Sequence, residues 1–243
     1  MFFKNYPQRL YKFGNEQTAT VIQDLSAYVD IIDQIKDNIN FYQQYTILDG
    51  DRPDILSQKI YGTTAYYWTF YLLNDSIRQQ GWPLSSQQIR AKAQADYPNT
   101  VLTTRDIDHL YESFLVGRTV TGSTSGATGK ILRRNLDLGQ IVVSGSNGFT
   151  STEIITETVG EDEVALTAQL VSAANEFEAV HHYEDADKNY ADVDPYSAPG
   201  ALLTAVSYVD RYEAANDALK EIKVIKPQAI AEVFAAYQEA LRT

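Results

Sequence analysis

The sequence contains no cysteine. Disulfides and thiolate metal centres are therefore excluded, and the chain suits a reducing compartment. Positive charge is scarce: 20 Lys and Arg stand against 32 Asp and Glu, for a formal net charge of −12. Nucleic-acid binders neutralise phosphates with clustered Lys and Arg, so DNA and RNA are set aside as partners. Long apolar runs are missing too. None approaches the ~20 residues of a membrane span, and the start, Met1-Phe2-Phe3-Lys4-Asn5-Tyr6-Pro7, lacks the basic and apolar regions of a secretory signal. A soluble, unexported chain with no membrane partner is expected. What is present is 44% hydrophobic and 12% aromatic content in 243 residues, enough to bury the core of one elaborated domain or two small ones. The acidic total leaves docking on a basic protein surface open.

Local signals divide the chain into four stretches. Residues 1–44 begin with an aromatic segment, 3–13, broken by Pro7, which reads as an extended arm or an edge strand. Apolar residues over 20–45 then recur in mixed spacing, compatible with a strand followed by a helix or with one long helix. In residues 45–116, Tyr45-Thr46-Ile47-Leu48 reads as a strand and Asp49-Gly50-Asp51 as a turn. Pro53 opens a helix at a first-turn position, and Gly62 stops it after Tyr61. A second helix through Tyr66, Trp68, Phe70 and Leu73 ends at Asn74-Asp75. A third starts at Ser85, where Gln88 completes a capping box, and stops before Pro98. Residues 117–160 turn to Gly, Ser, Thr and β-branched types with short runs at 118–121, 130–132, 140–143 and 153–156, predicting an inserted small antiparallel β-module. Residues 161–243 hold a hairpin, 177–183 with 190–193, around an Asp/Asn-rich bend. After Pro227, Ile230, Val233, Phe234, Tyr237 and Leu241 fall at helical spacing and predict an amphipathic C-terminal helix. The fold class expected is α+β.

Candidate chemistry is thin. Gly129-Lys130 lacks the earlier Gly and the following Ser or Thr of a phosphate loop, having Thr124 and Ile131 there. Asp185-Ala186-Asp187-Lys188-Asn189 opens like a calcium loop, but Tyr190 stands where the turn wants Gly and Tyr196 where a bidentate Glu belongs, so an Asx-rich turn is favoured. His181 and His182 are consecutive in a strand, where neighbours point to opposite faces and do not share one ion. His109 sits among Leu110, Tyr111 and Phe114 on a predicted helix and reads as a satisfied core or interface histidine. Carboxylate pairs for glycoside hydrolysis are too many to discriminate, and no nucleophile elbow or metalloprotease His-Glu pair occurs. No catalytic residue, cofactor or metal is assigned. The aromatic group Tyr66, Tyr67, Trp68, Phe70, Tyr71 and Trp82 splits between core and surface, with Trp68 expected in the core. Tyr66, Tyr67 and Trp82, with Phe234, Tyr237 and Leu241 of the last helix, are the candidate partner-binding residues.

The run from Tyr45 through Asp49-Gly50-Asp51-Arg52-Pro53-Asp54, Tyr61-Gly62 and Trp68 to Asn74 resembles a LysM module, whose pattern is strand, Gly-Asp, helix, Tyr-Gly, Trp, helix, Asn. Asp-Arg-Pro-Asp, the Trp82-Pro83 exit, His181-His182-Tyr183-Glu184-Asp185 and Ile222-Lys223-Val224-Ile225-Lys226-Pro227 resemble more narrowly the LysM-like baseplate wedge subunit of T-even-type contractile-tailed phages. Ser125-Gly126-Ala127-Thr128-Gly129 is similar to small modules inserted in other phage structural proteins. The family's tip turn usually has Gly where this chain has Lys188. The resemblance implies a LysM-like strand–helix–helix unit with flanking helices, the inserted β-module and the C-terminal helix. It also implies a non-enzymatic structural subunit of the virion's tail baseplate, assembled in the host cytoplasm. Such a subunit joins adjacent wedges into a six-fold ring, six copies per baseplate. Its partners would be the helical wedge-core protein and the small sheath-like subunit, with the hub as a further candidate. The competing expectation is a LysM-type peptidoglycan or glycan-binding module. Truncation after Pro227 is expected to weaken ring assembly while leaving the LysM-like unit folded.

Overall fold

The structure is a computed structural model that describes residues 8–15, 18–23, 40–145, 148–160 and 165–240. The chain divides into two compact units, one of residues 1–86 and 215–243, the other of 87–214.

The first unit starts with a two-stranded ribbon, β1 (Gln8–Tyr11) and β2 (Thr20–Gln23). The stretch 20–45, expected as a strand followed by a helix or as one long helix, begins with strand β2, and its residues 24–39 lie outside the described residues. Strand β3 (Tyr42–Thr46) pairs antiparallel with β13 (Glu221–Ile225), with Thr46 opposite Glu221 and Tyr42 opposite Ile225. Between them come helices α1 (Pro53–Tyr61), α2 (Trp68–Leu73) and α3 (Asp75–Gln80). Helix α1 obeys its end signals: Pro53 needs no intrahelical N–H partner in the first turn, Asp54 and Lys59 complement the helix dipole, and Gly62 takes the left-handed conformation at φ 72°. Asn74 ends α2 and ties it to the sheet, its amide donating to the carbonyls of Phe70 and Lys223 and accepting the N–H of Lys223. The core gathers Ile47, Leu56, Phe70, Ile77, Ile222 and Val224. A neighbouring cluster joins Leu73 and Ile225 to Ile230 and Val233 of the last helix, α7 (Ile230–Ala240).

The second unit is built on a closed barrel of six antiparallel strands in the order β4-β7-β6-β5-β8-β9. These are β4 (Thr100–Thr104), β5 (Thr119–Gly122), β6 (Thr128–Asn135), β7 (Gln140–Val143), β8 (Ile154–Glu157) and β9 (Thr167–Asn175). Leu102, Val120, Ile131, Ile141, Val143, Ile155 and Leu170 pack with Ile107 and Leu110 of α5 (Ile107–Glu112) and with Phe114. Gly139 makes the β6–β7 turn possible: its φ is 62°, and a Cβ there would lie 2.2 Å from the Thr104 carbonyl. The unit also contains α4 (Ser86–Asp96) and a three-stranded sheet, β11-β10-β12, of β10 (Val180–Glu184), β11 (Tyr190–Ala191) and β12 (Thr204–Ser207). Helix α6 (Tyr208–Asp217) follows β12.

The expected fold class is overturned. In place of a LysM-like strand–helix–helix unit carrying a small β-module, the described residues form a mixed fold with a closed six-stranded barrel and seven α-helices. The four strands expected over 117–160 are present, but β4 and β9, outside that window, pair with each other and close the sheet. Closure removes the open edges an isolated four-stranded module would expose. In the first unit β13 completes the sheet from far along the chain, and α3 follows α2 directly, so neither feature fits a contiguous strand–helix–helix motif.

Candidate docking interface

The β1–β2 ribbon is the most exposed apolar element among those described. Its register places Leu10 opposite Val21 and Tyr11 opposite Thr20. Side chains alternate across a strand, so Leu10 and Val21 share one face and Tyr11 belongs to the other. Leu10 is 73% and Val21 58% exposed. Beyond the strand end Phe13 meets Tyr11 edge to face at 4.9 Å, and both rings are about half exposed. An isolated two-stranded hairpin is marginally stable in water, and apolar groups open on both faces favour a partner surface. Where an extended arm or an edge strand was expected over 3–13, residues 8–11 form a strand of the ribbon; residues 3–7 lie outside the described residues.

The six partner-binding candidates take different places. Tyr66 stacks edge to face on Phe234 at 5.4 Å, and Trp68 lies 5.8 Å from Phe234 and 5.2 Å from Tyr237. Tyr237 is buried, as is Trp68, so α7 packs its aromatic face onto α2 within the first unit. Trp82 is half-buried, packs against Phe70 and Tyr71 and donates its indole N–H to the Asp51 carbonyl at 2.6 Å. Tyr67 is exposed at 42%. Leu241 lies outside the described residues.

In the second unit the histidine pair departs from its expected geometry. The β10–β12 register shifts between Val180 and His182. A bulge of this kind lets consecutive side chains turn to one side, and Nδ1 of His181 lies 3.0 Å from Nδ1 of His182. His182 Nε2 lies 3.0 Å from a Glu184 carboxylate oxygen, and the ring stacks on Tyr190 at 5.6 Å. With Nε2–H of His182 donating to Glu184 and its Nδ1 accepting, His181 is the Nδ1–H donor of the pair. Burial, then Arg211, His182 and Arg133, push the His181 pKa below its ordinary value. Sequence pattern carries no signal for this contact, because the alternation rule assumes an unbroken ladder.

Several other titratable groups serve the fold. Asp185 accepts the backbone N–H groups of Asp187 and Asn189, the Asx-turn chemistry expected of this bend. Lys188 takes the left-handed conformation at φ 62°, where the resembled family has Gly. His109 contacts the Thr167 carbonyl through Nδ1 at 2.6 Å. Glu153 is buried and accepts the N–H groups of Thr124, Ser125 and Thr150 and the Ser125 hydroxyl. Burial raises its pKa, but the Ser125 and Thr150 backbone donors, the Ser125 hydroxyl and the Thr124 donor outweigh it and set the net shift downward. The Ser125-Gly126-Ala127 turn is thereby pinned to the residue before β8. Buried Glu176 holds Asn99 and Arg133, and Arg133 also donates to the Tyr208 hydroxyl. No group of three or more His, Asp or Glu suited to a metal ion occurs among the described residues.

No family model matches the chain, and no curated protein matches it.

Proposed function

We propose that this protein is a structural subunit of a contractile phage tail baseplate that joins adjacent wedges into the six-fold ring, without catalysis. The observation that carries the docking role is the β1–β2 ribbon, which leaves Leu10, Val21, Tyr11 and Phe13 open on both faces. The baseplate assignment rests on the resemblance of Asp51-Arg52-Pro53-Asp54, Trp82-Pro83, His181-His182-Tyr183-Glu184-Asp185 and the Ile222–Pro227 run to the wedge subunit. The partners proposed are the helical wedge-core protein and the small sheath-like subunit, with the virion baseplate as location. Glycan binding would draw on exposed aromatic faces for sugar stacking. Trp68 and Trp82 are instead engaged in packing, so wedge joining is the reading adopted here.

The test is a pulldown of the purified chain against wedge subunits, with insoluble peptidoglycan in parallel. Capture of wedge protein alone supports the proposal. Saturable binding to peptidoglycan without wedge capture overturns it.

A further inference from the structure

The His181–His182 contact is a hydrogen bond that depends on protonation state. Nδ1–H of His181 donates to Nδ1 of His182 at 3.0 Å, and the other ring nitrogen of His182 donates to Glu184 at 3.0 Å. A proton added at Nδ1 of His182 turns that acceptor into a donor, so two N–H groups then face each other. A proton added at Nε2 of His181 would keep the bond, but the surroundings oppose it. Burial first, then Arg211 of α6, His182 and Arg133 of β6, disfavour a charge on that ring. The neighbours of His182 are of the other kind. The Glu184 carboxylate lies on its Nε2 side, and the Tyr190 ring of β11 stacks on it at 5.6 Å, presenting an aromatic face that attracts a cation. Arg133 itself is paired with buried Glu176 and donates to the Tyr208 hydroxyl. Asp210, one residue before Arg211, accepts the N–H and hydroxyl of Ser207.

We propose that the His181–His182 pair is an acid-operated switch, in which proton uptake at Nδ1 of His182 separates the two rings and undocks β10 from the start of α6. The mechanical link is the His181 ring, which meets the Tyr208 ring edge to face at 5.0 Å. His181 is the ring that must move, because protonation strengthens the hold of Glu184 and Tyr190 on His182. Tyr208 is the first residue of α6; its ring meets Tyr97 at 4.4 Å and its N–H donates to the Ala179 carbonyl. Movement of His181 therefore acts at the join between β10 and α6. The ladder resists little there, because the β10–β12 register is already broken between Val180 and His182 and β11 adds only two residue pairs. The pH range follows from imidazole chemistry, which changes charge between about pH 8 and about pH 5. This switch does not depend on the docking reading above.

The experiment is nitrogen NMR of the histidine rings in the full chain, combined with hydrogen exchange. The sequence holds three histidines, so the ring signals are few. At about pH 8, His181 should show the Nδ1–H form and His182 the Nε2–H form. As pH falls, His182 should take up a proton while His181 stays neutral. Exchange at residues 180–184 and 206–211, corrected for its intrinsic pH dependence, should rise about tenfold or more by about pH 5.5, with strands β6 and β7 unchanged. His182→Phe keeps a ring against Tyr190 and removes the titrating nitrogen, so its corrected exchange should not vary with pH. Glu184→Gln, at a partly exposed position, removes the carboxylate that favours the cation and should move the transition to lower pH. An Nε2–H form of His181 at about pH 8, protonation of His181 before His182, or exchange in the parent chain that ignores pH overturns the inference. So does an acid-induced rise that persists in His182→Phe, or a transition that Glu184→Gln leaves in place.

Discussion

Two residues show how side-chain chemistry and backbone conformation are balanced in the second unit. Lys188 sits at φ 62°, a conformation that costs a non-glycine residue roughly 1 kcal/mol or more. Lys188→Gly removes that cost but gives the unfolded chain more freedom. A net stabilisation of about 0.5 kcal/mol is expected, read as a higher urea midpoint at unchanged slope. Burial, then Arg211, His182 and Arg133, lower the His181 pKa, while its Nδ1–H bonds to His182, itself tied to Glu184. Its folded pKa lies below the unfolded value of about 6.5. The unfolded chain therefore takes up the proton first as pH falls. The contribution to stability is complete above about pH 6.5 and is lost below it, down to the folded pKa. Denaturation at a series of pH values should show this decline, and His181→Asn should flatten it. An unchanged profile in the variant would show that His181 is not the group responsible.

At the scale of elements, α7 belongs to the core of the first unit. Its Phe234 and Tyr237 rings meet Tyr66 and Trp68, and its Ile230 and Val233 join Leu73 and Ile225. Truncation after Pro227 would uncover that cluster, so the expectation that the preceding unit stays folded without the helix gives way to coupled loss of stability. Tyr237→Ala should cost about 3 kcal/mol by urea unfolding, the scale for deleting a large buried aromatic ring. A loss under about 0.5 kcal/mol, the scale of ordinary surface substitutions, would instead mark the helix as peripheral. The same elements show what the sequence discloses. Helix α1 was legible from Pro53 and Gly62, α4 from Ser85 and Pro98, and β7 from Gln140-Ile141-Val142-Val143, because each signal is local. Strand β4 is a short Thr-rich run, β9 is interrupted by Ala and Ser, and β13 pairs with β3 across most of the chain; such strands are defined by their partners. Closure of the barrel is a consequence of those pairings, so no local pattern announces it. Of the docking surface, the aromatic arm was visible and a strand at the start of 20–45 was one of two readings left open, while the pairing of β1 with β2 and the bulge beneath His182 were not.

For the whole molecule, two compact units carry an acidic chain whose β1–β2 ribbon presents apolar side chains outward. This organisation separates the residues that hold the fold from those available for assembly. Buried groups such as Asn74, Glu153 and Glu176 satisfy backbone and side-chain partners inside their own units. Leu10 and Val21 are largely open, so changing them should alter docking and leave folding intact. The measurement that tests this most directly is quantitative capture of wedge subunits by the full chain and by a Leu10→Asp/Val21→Asp form, with urea unfolding followed on both. The account predicts capture at least tenfold weaker in the substituted form with the unfolding midpoint unchanged. Equal capture by the two forms would contradict it.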